Sequence, residues 1–504
     1  MPDGQVHSIA VVGSGTEAWM VAAALAVACG GRSAIHIVLP PADTAVSPKR
    51  SDAESTLPPL RAFNKLVGLD EDRLLRSCAG TFKLGTEFVG WREGRSYIQP
   101  CGEFGATLGG IAFHQHLTRL HAAAAAVDPE LYCLAAAAAR AERFARPGID
   151  PSSVESTMSY ALHLDARAYC GELRQLAQRH RVVVAQGALR DVAVAGAAIE
   201  ALILEDGGRV TADLYVDASG SEARLIGQAL GVPFEDWSAW LPCSRQVAAR
   251  CEQPHLGAPL TRAQAADFGW MGHVPLQGSI ACHYAYDPAM LDDRAAGEAL
   301  LAWIDAPAPT ALTYNSAPSG RRRAPWQANC VALGSAAGWV EPLESTALHL
   351  TQSMIVRLLG LFPSGDGRVE RLEYNRLVGN ELERARDLAI AHYATAQRLG
   401  GEFWRQRAAA GVPDTLAYKM SQYRSRGTLV IYDEEPLPEV AWLALYLGQG
   451  IWPQRCAALA EVPDMEAVRA QLTRMRATID EAVARMPAHA EYVRRQRLQA
   501  RLDG

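Results

Sequence analysis

A strand, a glycine turn and a helix open this sequence, short strands of mixed pattern fill its middle, and helical periodicity dominates after residue 361. Together these predict an α/β chain with a helical C-terminal region. The opening unit is the most specific. Ser8-Ile9-Ala10-Val11-Val12 is an apolar strand that runs into Gly13-Ser14-Gly15-Thr16-Glu17-Ala18 and then into an apolar helix over 19–29. This is G-x-G-x-x-A in the strand–turn–helix context of a Rossmann-like dinucleotide site. Gly13 makes the turn, Gly15 lets a pyrophosphate approach, Thr16 lies at the helix start and Ala18 packs helix on strand. The next strand, 34–39, ends in Leu39, where a ribose-binding carboxylate is expected. Asp43 lies slightly beyond as a substitute, so a loosely held ligand is predicted.

The remaining elements follow from pattern. Residues 41–59 form a Pro/Ser/Asp loop and 60–77 read as helix. Residues 81–89 alternate in part and read as one strand. The Ala-rich run 114–146, interrupted at Asp128-Pro129, reads as a helical hairpin on the surface. Residues 160–179 read as a helix with Asp165 near its start. Short strands are expected at 182–186, 189–194, 199–204, 214–216, 271–276 and 280–286, and the clearest C-terminal helix at 374–398.

Composition narrows the function. Nearly half of the residues are hydrophobic, enough for a sizeable core. The net charge of −6 gives no electrostatic reason to expect nucleic acid or an anionic membrane. Ten cysteines without a C-x-x-C pair fit a reducing, cytoplasmic setting and argue against a zinc site. Strand residues begin at Ser8, leaving no room for a signal peptide, and the apolar run 21–29 is too short to span a bilayer.

A second motif lies near residue 340. Asn329-Cys330-Val331-Ala332-Leu333-Gly334 reads as a buried strand ending in a turn. Gly338-Trp339-Val340-Glu341-Pro342-Leu343-Glu344-Ser345-Thr346-Ala347 then precedes an apolar helix over 348–361. Amides at such a helix start can hold an anion. Alternatively, Ser345 or Thr346 is an N-cap that satisfies the first-turn amides.

These blocks resemble the flavin-dependent tryptophan halogenases. Glu341-Pro342-Leu343-Glu344-Ser345-Thr346 is similar to the family's signature around its catalytic glutamate, and Thr81-Phe82-Lys83 to the segment carrying its catalytic lysine. Glu54-Ser55-Thr56-Leu57-Pro58 resembles its flavin-contacting loop. The resemblance continues through 213–220 and 231–243 to Arg386-Asp387, His392-Tyr393, Phe403-Trp404 and the 447–453 block. Several positions depart from the family. Its W-x-W-x-I-P block stands here as Trp270-Met271-Gly272-His273-Val274-Pro275, its loop glycine is Ala53, and Ala347 follows Ser345-Thr346.

The resemblance implies an FAD-binding, flavin monooxygenase-type core with a mixed-sheet substrate region over 1–360 and a mainly helical region over 361–504. It implies Lys83 and Glu344 as catalytic residues. FAD contacts fall on Gly13, Gly15, Thr16, Ala18, Glu54, Ser55, Thr56, Asp217, Gly334, Ala337 and Leu343. A chloride or bromide site falls on Thr346 and Ala347. Trp270, His273, Pro275, Phe104 and Ser345 are the candidate substrate contacts. Reduced FAD from a separate flavin reductase, with oxygen and halide, would give hypohalous acid for attack on an indole or tryptophan-containing compound. Gly272 is expected to leave room for a substrate larger than tryptophan. His392-Tyr393 and Arg386-Asp387 are expected to brace the C-terminal helices. The partners expected are a transient reductase and a small or peptide-linked aromatic, with neither nucleic acid nor membrane, and a homodimer is compatible with the chain. The competing readings are a flavin monooxygenase or oxidase of the same fold, and a non-catalytic flavin-binding protein.

Overall fold

The computed structural model describes residues 5–40, 52–304, 311–398 and 400–502. Asp43 lies outside them. The opening unit is as the sequence predicts. Ser8–Val12 is a central strand, and the following helix, Thr16–Cys29, is buried along most of its length. The strand lies in a six-stranded sheet, between Leu214–Asp217 and Ala34–Val38, and both pairings are parallel. A Cβ on Gly13 would stand 2.2 Å from the Ala218 carbonyl, so only glycine lets the turn pass this close.

A second, seven-stranded sheet holds Thr313–Ser316, Arg245–Glu252, Ser279–Tyr286, Gly269–Leu276, Leu260–Ala266, Gly85–Val89 and Ser96–Pro100, in that order. It is antiparallel except where Leu260–Ala266 meets Gly85–Val89. Arg245–Glu252 and Leu260–Ala266 escape a pattern reading because arginine and glutamine interrupt their apolar alternation.

Three local expectations are corrected. The strand expected over 81–89 divides at Leu84. Thr81–Lys83 pairs with Ala161–Asp165, whereas Gly85–Val89 joins the large sheet, where a Cβ on Gly85 would lie 2.6 Å from the Gln99 carbonyl. The helix expected over 160–179 begins only at Ala166. Asp165 caps it by accepting the Ala168 amide at 2.7 Å, which frees 161–165 to be a strand. The helix expected over 60–77 breaks at Gly68, in the left-handed region at φ 85°, and restarts after the Asp70 cap. The Ala-rich segment also lies deeper than expected. Ala135, Ala136, Ala138 and Ala139 are all buried, their small side chains letting Leu134–Arg140 pack against Met465–Arg485.

A three-stranded sheet matters most for function. Ala161–Asp165 is its centre, with Ala53–Ser55 on one side and Thr81–Lys83 on the other. Strand alternation puts Phe82 on one face and Thr81 and Lys83 on the other. Phe82 stacks on Phe144 at 4.0 Å and meets the edges of Tyr160 and Tyr492, which anchors the strand that carries Lys83. The C-terminal helices share one continuous core with this part. Among the described residues no helix is long and apolar enough to cross a membrane.

Gly272 does not leave open space. A Cβ there would lie 2.7 Å from the His283 ring and 2.8 Å from the Arg262 carbonyl. His283, directly opposite on the neighbouring strand, fills the volume and stands edge-on to Trp270 at 4.9 Å. Gly272 is therefore a packing partner of His283, not a missing pocket wall. Gly272→Trp is expected to destabilise the protein by about 1–3 kcal/mol through overpacking. His283→Ala in the same chain should recover part of that loss. Urea midpoints of the parent and the single and double variants check this; a Gly272→Trp variant as stable as the parent contradicts it.

Candidate active site

A cavity of about 730 Å³ runs from the glycine turn to the loop before the Ala347–Gly360 helix. Gly15, Thr16, Glu54, Ser55 and Leu343 line it, together with Glu17, Ala347 and the floor residue Trp270. The other candidate cofactor residues shape its walls from behind. Gly13 and Ala18 pack helix on strand. The Thr56 hydroxyl exchanges hydrogen bonds with the Leu162 backbone. Asp217 accepts the amides of Ser219, Leu225 and Ile226 and shapes the turn after its own strand. Gly334 and Ala337 belong to a tight 3-10 turn, where Gly334 has φ 58° and its missing side chain leaves space for the Glu17 carboxylate.

The wall at the helix start is unusual. Ser345 has φ 64°, rare for a residue with a side chain, and its amide bonds Pro342 at 3.0 Å. Thr346 makes no capping bond, so the N-cap reading of this segment is not what the chain adopts. Alternation along Leu343-Glu344-Ser345 turns Leu343 and Ser345 to the cavity and Glu344 away from it. Lys83 also lies outside the cavity, almost fully buried. Its Nζ donates to the Thr56 carbonyl at 3.0 Å and to Ser345 Oγ at 2.9 Å. Burial lowers the Lys83 pKa to about 8, against the opposing pull of Cys101 and Glu344. Two residues far apart in sequence thus share one buried region, with Ser345 as the partition between it and the cavity.

Glu344 has a partner that the sequence reading assigned elsewhere. His392 Nε2 stands 2.5 Å from Glu344 Oε1, an ion-pair distance at an angle outside a regular hydrogen bond. The ring stacks on Phe88 at 4.5 Å, and its Nδ1 meets the Tyr97 hydroxyl at 3.3 Å. Tyr393 donates to Glu341 at 2.6 Å, and the Cys243 amide donates to the other Glu341 oxygen at 2.9 Å. His392-Tyr393 therefore ties the long Arg368–Thr395 helix to the Glu341–Glu344 loop instead of bracing C-terminal helices alone. Only a fold could reveal this, since 48 positions separate His392 from Glu344.

The candidate substrate residues do not all converge. Trp270 lines the cavity floor. His273 faces away on the same strand, 6.0 Å from Trp303. The Pro275 carbonyl accepts from Thr81 at 2.8 Å. Phe104 is buried outside the cavity, three residues after Cys101, whose thiol lies 3.6 Å from the Lys83 carbonyl.

With this geometry in place, comparison with known proteins is decisive. The sequence profile described as tryptophan halogenase matches residues 8–464. The chain belongs to the tryptophan halogenase family. It is 27% identical to the 7-chloro-L-tryptophan 6-halogenase KtzR of Kutzneria sp., over 97% of this chain and 99% of that one. Among solved structures, BrvH, a flavin-dependent halogenase from Brevundimonas sp., superposes with a TM-score of 0.92 at 35% identity, covering 98% and 100% of the two chains. The family implies FAD and halide, and this halogenase has room for the flavin. The cavity joins the glycine turn to the helix start, and the buried hydroxyls of Ser14 and Thr346 have no protein partner among the described residues.

The cavity is also acidic. Burial raises both Glu17 and Glu54 to about 7. Glu17 is held by the amide and hydroxyl of Ser335, both at 3.0 Å. An ionised carboxylate repels a pyrophosphate, so binding FAD should take up protons and tighten as pH falls through 7. FAD titrations between pH 6 and 8.5 are expected to show affinity rising severalfold towards pH 6, with Glu17→Gln flattening the trend. An affinity independent of pH contradicts this.

Proposed function

We propose that this chain halogenates an electron-rich aromatic substrate, an indole or a tryptophan-containing compound, using reduced FAD from a separate flavin reductase, oxygen, and chloride or bromide. The observation that carries the reading is Lys83. It is buried, held by two acceptors and influenced by Glu344, on the far side of the Ser345 wall from the cavity.

Gly15, Thr16, Glu54, Ser55 and Leu343 would hold FAD, which when bound in reduced form supplies, with oxygen, the oxidation of halide to hypohalous acid. The free amides at the Thr346-Ala347 helix start are the halide donors in this reading. The remaining steps belong to the chain. Below a pH of about 8 Lys83 is an ammonium. Two of its N–H bonds go to Thr56 and Ser345, leaving the third for the oxygen of hypohalous acid. That bond draws electron density from the halogen. The aromatic ring attacks the halogen, and the departing hydroxide takes the Lys83 proton and leaves as water. Glu344 accepts the proton lost by the ring carbon, with His392 fixing its position. In this reading the substrate lies on this side of Ser345, beside Lys83 and Glu344. A 1–360 core then carries the chemistry, and the 361–504 region supports it through His392 and Tyr393.

Lys83→Ala is expected to lose halogenation by at least ~100-fold, the scale of a positioned acid. Flavin binding and oxygen uptake should persist, because Lys83 lines neither the cavity nor its turn. Product assays beside oxygen-electrode traces check this. Halogenation within tenfold of the parent rate rejects the role.

A further inference from the structure

Lys83 is one end of a longer chain of hydrogen bonds. Ser345 Oγ donates to Ser55 Oγ at 2.8 Å, and Ser55 Oγ lies 2.5 Å from Thr261 Oγ1. Thr261 Oγ1 lies 2.9 Å from His163 Nε2, and His163 Nδ1 lies 3.0 Å from Thr81 Oγ1. Thr81 Oγ1 in turn donates to the Pro275 carbonyl at 2.8 Å. The small sheet builds this line, since His163 is paired in register with both Ser55 and Thr81.

One end fixes the direction of every bond. A carbonyl only accepts, so Thr81 gives its proton to Pro275 and must accept from His163 Nδ1–H. The neutral ring then has a lone pair at Nε2, which makes Thr261 a donor to it. Thr261 therefore accepts from Ser55, and Ser55 from Ser345. Ser345 is left with a lone pair for Lys83. Burial holds His163 well below its ordinary pKa and keeps the ring neutral; the groups facing it are Lys83, His489 and His273. Lys83 itself is faced by Cys101 and Glu344.

We propose that His163 and Thr261 are positioning residues for halogenation. They orient a chain of hydroxyls so that an acceptor always faces Lys83, which holds the lysine as an N–H donor with its free N–H directed at the oxidant. The proposal rests on the catalytic reading of Lys83. It also ties the lysine to the flavin loop, because Ser55 belongs to both.

Thr261→Val removes the link while keeping the shape. Ser55 then loses its acceptor, and the Ser345 hydroxyl is free to turn and donate to a neutral Lys83 amine. In the full chain with FAD, a flavin reductase, halide and an indole, Thr261→Val should lower halogenation about tenfold, the worth of one hydrogen bond. It should also move the alkaline limb of the pH profile down by roughly half a unit or more. Thr261→Ser, which restores the hydroxyl, should return both to near parent values. If Thr261→Val fails to fold or to bind FAD, His163→Gln is read by the same limb. A parent-like rate and pH profile in Thr261→Val, beside an inactive Lys83→Ala, overturns the positioning role alone. An active Lys83→Ala overturns the reading of the lysine and this proposal with it.

Discussion

The left-handed turn at Ser345 is the constraint on which the rest depends. Its backbone places Glu344 on one side and the cavity on the other, and its hydroxyl joins Lys83 to Ser55. A residue with a side chain held at φ 64° costs roughly 1–3 kcal/mol, and such strain persists only where the surroundings fix it. Here the Glu341 carboxyl anchors the loop through Tyr393 and Cys243, and the Pro342 carbonyl closes the turn.

Both candidate catalytic side chains are buried, and each is backed by a fixed protein group. Lys83 is backed by Ser345 and, through hydroxyls, by His163; Glu344 is backed by His392, whose ring is clamped by Phe88 and Tyr97. In a buried site a fixed acceptor or donor is worth more than at the surface, and a misplaced one costs more. That explains why the supporting residues come from four separate parts of the chain: the small sheet, the large sheet, the loop before residue 346 and the long C-terminal helix. The Arg368–Thr395 helix supports the candidate site as directly as the strands do, through His392 and Tyr393.

Much of this was legible in the sequence, and the limits have physical causes. The strand–turn–helix start could be read because an apolar strand, a glycine turn and an apolar helix follow one another without interruption. Lys83 and Glu344 could be proposed from the sequence because their motifs are compact. The contacts of His392 and His163 could not be read, since what matters is which strand or helix lies opposite them. Residues 81–89 looked like one strand because nothing local marks Leu84 as the point where the chain changes sheets. Gly272 suggests open space in the sequence, but His283, eleven positions away on the neighbouring strand, takes that space. Composition alone puts the Ala-rich helix at the surface, because it does not show that small side chains allow the helix to sit deep.

The central claim is that oxidant made in the cavity is used behind the Ser345 wall without passing through bulk water. The most direct measurement is the yield of halogenated indole per oxygen consumed as a soluble trap for hypohalous acid, such as a cyclic 1,3-diketone, is raised in excess over the substrate. A yield that holds steady while the trap stays unhalogenated is the predicted result. A yield that falls in proportion to the trap shows that the oxidant leaves the protein before it reacts, and contradicts the account.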